Sequence, residues 1–274
     1  MKVALFAIGR MENRYAVEWV EHYKNIGFDK IFIYDNNFGD EEHFEDVLQP
    51  YIDSRFVEIT DYRDKESCQT KAYVDCYKKH NKDFDWIAFF DFDEFLTLVN
   101  YDNIKDYLSQ DIFNDYQCIN VNWMNYGDND LVTYDDKPVQ KRFTEPLPYD
   151  SKMKYSFPEN YHVKSIIRCG IDNFFWNHNT HTPLGLPIKH CDCDGVECSD
   201  RPFKPYNYNS CYIRHYFTKT IDEWLNHKYT RQYADRPHTN LDKKELVKDF
   251  FCLNKITDEK KKYLADTFGI DIDG

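Results

Sequence analysis

The sequence predicts an α/β protein with a mostly parallel sheet covered by helices on both faces, and three observations carry that prediction. Strand-like apolar runs recur at Val3 to Ile8, Lys30 to Tyr34, Phe56 to Thr60 and Trp86 to Phe90. The stretches between them carry apolar residues at helical spacing. Glycine or a polar turn closes each unit, so the series reads as βαβ repeats joined by crossovers.

In chain order, Val3 to Ile8 is a buried strand stopped by Gly9, and Ala16, Trp19, Val20, Tyr23 and Ile26 line one face of a helix that ends at Gly27. Lys30 to Tyr34 is the second strand, closed by Asp35-Asn36-Asn37, and Phe44, Val47, Leu48 and Tyr51 mark the helix after it. Phe56 to Thr60 is the third strand. A helix from about Glu66 to His80 then leads to the fully apolar strand Trp86 to Phe90. Beyond about residue 117 the pattern changes. Gln117 to Trp123 reads as a strand, and short β segments with turn dipeptides and prolines follow, including a type I′ hairpin at Asp194-Gly195. Helices return at Thr220 to about Tyr233, Leu241 to Cys252 and Asp258 to Thr267, the first opened by a Thr220/Glu223 capping box. The domain expectation is one unit over 1–236, split into a nucleotide-binding half (1–116) and an acceptor-side half (117–236), with a helical appendage over 237–274.

Composition narrows the function classes. The 274 residues carry 35 Lys+Arg against 48 Asp+Glu, a net charge of −13 that disfavours delocalised binding to nucleic acid. Aromatic residues at 18% exclude a disordered chain. No apolar run approaches the roughly 20 residues of a membrane helix, and the N-terminal stretch is too short for a signal peptide. Nine cysteines without a small-scaffold pattern suggest reduced thiols, hence a cytoplasmic setting. His190-Cys191-x-Cys193-x-x-x-x-Cys198 departs from standard zinc spacings and reads as a hairpin with incidental thiols.

The chemistry concentrates in Trp86-Ile-Ala-Phe-Phe-Asp91-Phe-Asp93-Glu94-Phe95. A buried parallel strand ending in three carboxylates puts negative charge at the sheet edge where open α/β folds bind ligands. Such charge calls for a compensating cation. Asp91 and Asp93, two apart, point the same way in an extended chain and suit one hard divalent ion, Mn²⁺ or Mg²⁺, with diphosphate oxygens completing its shell. A solvated acidic loop is the bland alternative. A phosphatase of the haloacid-dehalogenase type is disfavoured, because Phe95 stands where that motif has Thr or Val and because three strands precede it.

Glu18, His22-Tyr23 and Gly27, then Tyr34-Asp35-Asn36, Gln69-x-x-Ala72-x-x-x-Cys76, Asp91-x-Asp93-Glu94-Phe95, Trp123-x-x-x-Gly127, and His215-Tyr216-Phe217-Thr218-Lys219-Thr220 with Glu223-Trp224 form an ordered set of blocks. That set resembles glycosyltransferase family 92 and the related family-2-like glycosyltransferases, from about residue 3 to 236. The resemblance implies a GT-A fold and a nucleotide-sugar donor, a UDP-hexose such as UDP-galactose or UDP-glucose. It also implies a metal at the Asp-x-Asp motif and transfer with inversion.

Under that resemblance the donor pocket comprises Gly9, Arg10, Asn13, Asp35, Gln69, Lys71, Asp91, Phe92 and Lys219, with Arg231 and Arg236 closing over the nucleotide. Asp91 and Asp93 hold the metal, joined by His215, whose neutral imidazole suits Mn²⁺. Trp123, Glu94, Trp176 and His178 line the acceptor side. Asp130 or Asp128 takes the acceptor proton, with Glu94 and Glu145 in reserve. The expected acceptor is a glycan or lipid-linked hydroxyl in cell-envelope polysaccharide synthesis, with peripheral attachment to the inner membrane face. A sugar-phosphate nucleotidyltransferase and a non-catalytic carbohydrate-binding protein are the competing readings.

Overall fold

The computed structural model describes residues 1–176, 181–183, 188–231 and 241–272. Its elements in chain order are β1 (Val3–Gly9), α1 (Asn13–Asn25), β2 (Lys30–Asp35), α2 (Glu45–Asp53), β3 (Val57–Asp61), α3 (Gln69–His80), β4 (Trp86–Phe89), β5 (Glu94–Leu98), α4 (Ile104–Leu108), β6 (Cys118–Asn125), α5 (Val139–Arg142), β7 (Val163–Arg168), β8 (His190–Cys191), β9 (Glu197–Cys198), β10 (Cys211–His215), α6 (Ile221–Arg231), α7 (Lys243–Phe251) and α8 (Asp258–Phe268).

The main sheet runs β3-β2-β1-β4-β7-β6-β10-β5. Strands β3, β2, β1 and β4 are parallel, β7 lies antiparallel between β4 and β6, β10 is parallel to β6, and β5 is antiparallel to β10. The carboxyl ends of β1, β2, β3, β4, β6 and β10 therefore share one edge with the amino ends of β5 and β7. Period-two alternation splits each strand between two cores. Val3, Leu5 and Ala7 join Trp19, Val20 and Tyr23 of α1 on one face, whereas Ala4, Phe6 and Ile8 join Ala72, Tyr73 and Cys76 of α3 on the other. This is the GT-A-type α/β arrangement that the resemblance implies.

Three features differ from the sequence reading. The acidic run is not extended throughout: Asp91 to Asp93 form a turn, and only Glu94, which opens β5, enters a strand, where it is completely buried. Strand β7 is a central strand that the polar Lys164-Ser165 pair conceals in the sequence. The hairpin of β8 and β9 forms, but Gly195 alone of its turn pair has positive φ (+74°), and the Gly195 N–H donates to Asp192 O. This is a type I turn with a glycine bulge and not a type I′ turn. The capping box closes α6 as expected, with Glu223 N–H donating to Thr220 Oγ1 (3.1 Å) and Thr220 Oγ1 to Glu223 Oε2 (2.8 Å). Helices α6, α7 and α8 share a third core of Ile221, Trp224, Leu225, Leu246, Val247, Phe250 and Leu264.

Candidate active site

Where β4 ends, the chain turns at once into β5, and this corner is tightly tied. Glu94 N–H donates to Asp91 O, and Asp91 N–H donates back to Glu94 Oε2 (2.9 Å). The Trp19 indole N–H reaches both Asp91 O and Glu94 O. Glu94 Oε1 accepts from Trp123 Nε1 (2.8 Å). From β7, the buried Lys164 ammonium contacts Asp91 Oδ2 (2.9 Å) and Glu94 Oε2 (3.7 Å). Burial disfavours its charge, but Asp91 and Glu94 outweigh that and hold Lys164 well above its ordinary pKa. The motif is thus a turn and not extended chain, and Asp91 and Asp93 do not act as a simple pair. Asp91 is bound to Lys164, and Asp93 faces the next element.

Asp93 Oδ1 lies 3.7 Å from His215 Nε2 at the end of β10. The tautomer follows from the network. Asn160 Oδ1 accepts from both Asn125 N–H and Asn125 Nδ2, so Asn125 Oδ1 is the free acceptor, and His215 Nδ1–H donates to it (2.8 Å). Burial pushes the His215 pKa down to about 3, leaving a neutral ring whose Nε2 lone pair points to a carboxylate. Two acceptors facing each other at that distance fit a shared cation, so Asp93 and His215 suit the implied Mn²⁺. Asp91, Asp93 and His215 are not gathered into one compact donor set. Among the described residues the one His/Cys/Asp/Glu trio within 4.8 Å is Asp35, His43 and Glu45, and Asp35 there already carries an ion pair.

Opposite Asp93 stands a wall of cations. Lys219, Lys228 and Arg231, with the neutral His227, line a small cavity of about 10 Å³ with Asp93 and Thr218. Lys219 holds a left-handed backbone (φ +53°), costly for a side-chain-bearing residue, and its ammonium sits over the Tyr15 ring at 4.5 Å. Lys228, nearly buried, is pushed down to about 7 by burial and by Arg231. Arg231 pairs with Glu12 (2.5 Å), whose own burial raises it to about 7. The buried Thr218 Oγ1 and Glu12 Oε2 have no hydrogen-bond partner among the described residues. Burial works against the Asp93 carboxylate, and with His215 neutral it is the positive charge of Lys219, Lys228 and Arg231 that holds it below the usual carboxylate range.

Several expected donor residues are committed elsewhere. Arg10 makes a two-pronged pair with Glu41 (2.8 and 2.6 Å) and donates to Arg231 O, while Asn13 Nδ2 donates to His43 O. Asp35 accepts from Asn37 and pairs with Arg63 (2.7 Å), which leaves its buried carboxylate no room for a base. Phe92 is core, stacked on Phe44 and packed against Trp19. Gly9 is required by that packing, since a Cβ there would meet Phe92 at 2.5 Å. Gln69 donates to Tyr73 Oη, and Lys71 lies on the exposed face of α3.

On the acceptor side, Trp123 is half-buried between His162 (4.8 Å, stacked) and His215 (4.0 Å). Glu94, completely buried, has no surface to offer an acceptor and acts as a brace for the turn. Trp176 packs into the core against Tyr73 and Phe89. His178 and Arg236 lie outside the described residues. Asp128 is buried and paired with Lys260 of α8 (2.5 Å), which competes with an incoming acceptor proton, whereas Asp130 is half exposed and 3.2 Å from the same ammonium. Sequence reasoning missed Lys164, Lys228 and Glu12. Of these Lys228 left a signal, because it continues the buried stripe Ile221, Trp224, Leu225 of α6.

At this edge of an α/β sheet the Asp93 carboxylate and the neutral His215 stand against Lys219, Lys228 and Arg231, and this is the candidate site. The glycosyltransferase family 92 profile matches residues 12–250, and the chain belongs to that family. A glycosyltransferase family 92 protein of Ricinus communis is 30% identical over 97 residues, which are 35% of this chain and 17% of that protein. One of Oryza sativa subsp. japonica is 31% identical over 100 residues, 36% of this chain and 17% of that protein. The matched stretch is thus about a sixth of these relatives' length. Among solved structures, S. aureus TarS 1-349 in complex with UDP-GlcNAc aligns at TM-score 0.46 and 10% identity, over 99% of this chain and 74% of that one. The same protein in complex with UDP aligns at 0.43. Among the described residues, no helix is long and apolar enough to cross a membrane.

Proposed function

We propose that the chain is a metal-dependent glycosyltransferase that moves a hexose from a UDP-sugar, with inversion, to a hydroxyl of a glycan or lipid-linked acceptor in cell-envelope polysaccharide synthesis. The observation that carries this reading is the pairing of Asp93 with the neutral His215 directly against the cations Lys219, Lys228 and Arg231. Asp93 and His215 would hold Mn²⁺, which supplies Lewis-acid stabilisation of the leaving diphosphate. The chain's own share is electrostatic. Lys219, Lys228 and Arg231 form a preorganised bank of positive charge for the diphosphate, worth most where water is excluded. Asp91, fixed by Lys164, borders the sugar, and Trp123 offers it an aromatic face. Asp130, the more exposed of the two loop carboxylates, takes the acceptor proton while Asp128 anchors α8.

A thermal-shift screen of nucleotide sugars with and without Mn²⁺ tests the function. A UDP-hexose is expected to raise Tm, and more so with the metal. Pyrophosphate formation from a nucleoside triphosphate and a sugar phosphate would instead make the protein a nucleotidyltransferase.

A further inference from the structure

Aromatic rings continue outward from Trp123 to the surface. His162, stacked on Trp123, touches Phe203 (4.8 Å), and Phe203 touches Phe157 (4.3 Å), which lies nearly parallel to Tyr155 (5.1 Å, 10°). A second branch is anchored by Tyr208, whose hydroxyl donates to Trp123 O (2.7 Å). Tyr208 is near-parallel to Tyr206 (5.2 Å, 18°), and Tyr206 to Tyr149 (5.0 Å, 22°). At these separations parallel rings are offset, so each leaves part of its face open.

Tyr149, Tyr155 and Tyr206 are 49, 47 and 42% exposed, and within residues 145–161 and 201–210 they are the exposed large apolar side chains among the described residues. Within these two segments no Leu, Ile or Phe among the described residues is exposed, as an inserting membrane patch or an apolar subunit contact there would require. Tyr149 also stands between Pro148 and Ser151, which line a groove with Asp130, Asn129 and Glu145. Flat rings with hydroxyl tips beside carboxylate and amide groups match a chain of pyranose rings, with C–H faces to stack and hydroxyls to bond.

We propose that Tyr149, Tyr206 and Tyr208, with Tyr155 and Phe157, form a platform for a neutral glycan acceptor several sugars long, leading to Trp123. This deepens the transfer function above and rests on it. The test is ligand-observed saturation-transfer NMR with maltotetraose, cellotetraose and β-1,4-galactotetraose and with the matching monosaccharides, alongside UDP calorimetry on the same samples. At least one tetrasaccharide binds the wild type. Y149A/Y206A weakens it about tenfold, the loss of roughly one good stacking contact. Y206F, which keeps the ring, stays within about twofold, and UDP binding is unchanged. A wild type that binds none of the panel, or a double variant that binds like wild type, overturns the platform. So does finding that the substitutions abolish only sedimentation with phosphatidylglycerol vesicles, or only self-association in the ultracentrifuge. Tetrasaccharide binding that depends on these tyrosines in a protein that binds no UDP would leave the platform standing and overturn the transfer function.

Discussion

Two acidic corners lie at the carboxyl edge of the sheet, and they use the same parts differently. At Asp91-Phe92-Asp93-Glu94, the buried Lys164 pairs with Asp91 and reaches Glu94, whose pKa is pushed well up by burial, and Asp93 is left to face His215 and the α6 cations. At Asp128-Asn129-Asp130, the buried Lys260 pairs closely with Asp128 and reaches Asp130, which stays half exposed. The difference lies in which element brings the lysine. Lys164 comes from a strand inside the sheet and frees a third carboxylate for a ligand, whereas Lys260 comes from α8 and fastens that helix to the loop. Similar chemistry thus leaves a free carboxylate beside a candidate ligand site at one corner and, at the other, clasps α8 through Asp128 while Asp130 stays half exposed.

Removing either lysine separates the two roles. Lys164→Met leaves Asp91 and Glu94 facing a buried methyl, and a loss of about 4 kcal/mol is expected in urea unfolding, with transfer abolished. Lys260→Met costs about 2 kcal/mol, because Asp130 turns to water, and UDP binding survives. Equal effects of both changes on UDP binding would erase the distinction between the corners. A smaller effect is expected at the α6 wall. Lys219→Met weakens UDP binding by about tenfold in calorimetry, since one charge-assisted contact is lost while Lys228 and Arg231 stay. An unchanged affinity would move the diphosphate away from this wall.

The smallest effect concerns acid stability. Burial pushes both His162 and His190 down to about 4. In the unfolded chain histidine titrates near about 6.5. The folded state therefore binds fewer protons between these values, and the stability present above about 6.5 is lost as pH falls through about 4. His162→Phe keeps a ring against Trp123 and is expected to flatten the decline of Tm with pH by about one proton. A slope equal to wild type would show that His162 is not held neutral.

Much of the fold was legible because strands β1 to β4 are apolar on both faces and need no partner to be read. Strand β7 was hidden because Lys164 and Ser165 interrupt its pattern, and Lys164 is buried only because carboxylates wait for it. The Asp-x-Asp corner could be read from acids ending an apolar strand. Its balancing cation, 73 residues further on, could not. Arg10 and Asp35 stand at the edge where they were expected, each in an ion pair. Their charges are matched by Glu41 and Arg63, long-range pairings that a linear pattern does not display. Lys228 was readable in principle, as a lysine on the apolar stripe of an amphipathic helix.

The central claim is that Asp93, and not the Asp128 corner, holds the metal-bound diphosphate. Calorimetry of UDP with Mn²⁺ on Asp93→Ala and Asp128→Ala tests it most directly. Asp93→Ala is expected to abolish the Mn²⁺-dependent part of the affinity with its Tm near wild type, while Asp128→Ala lowers Tm and keeps that affinity. Retained Mn²⁺-dependent binding in Asp93→Ala, with its loss in Asp128→Ala, would contradict the account.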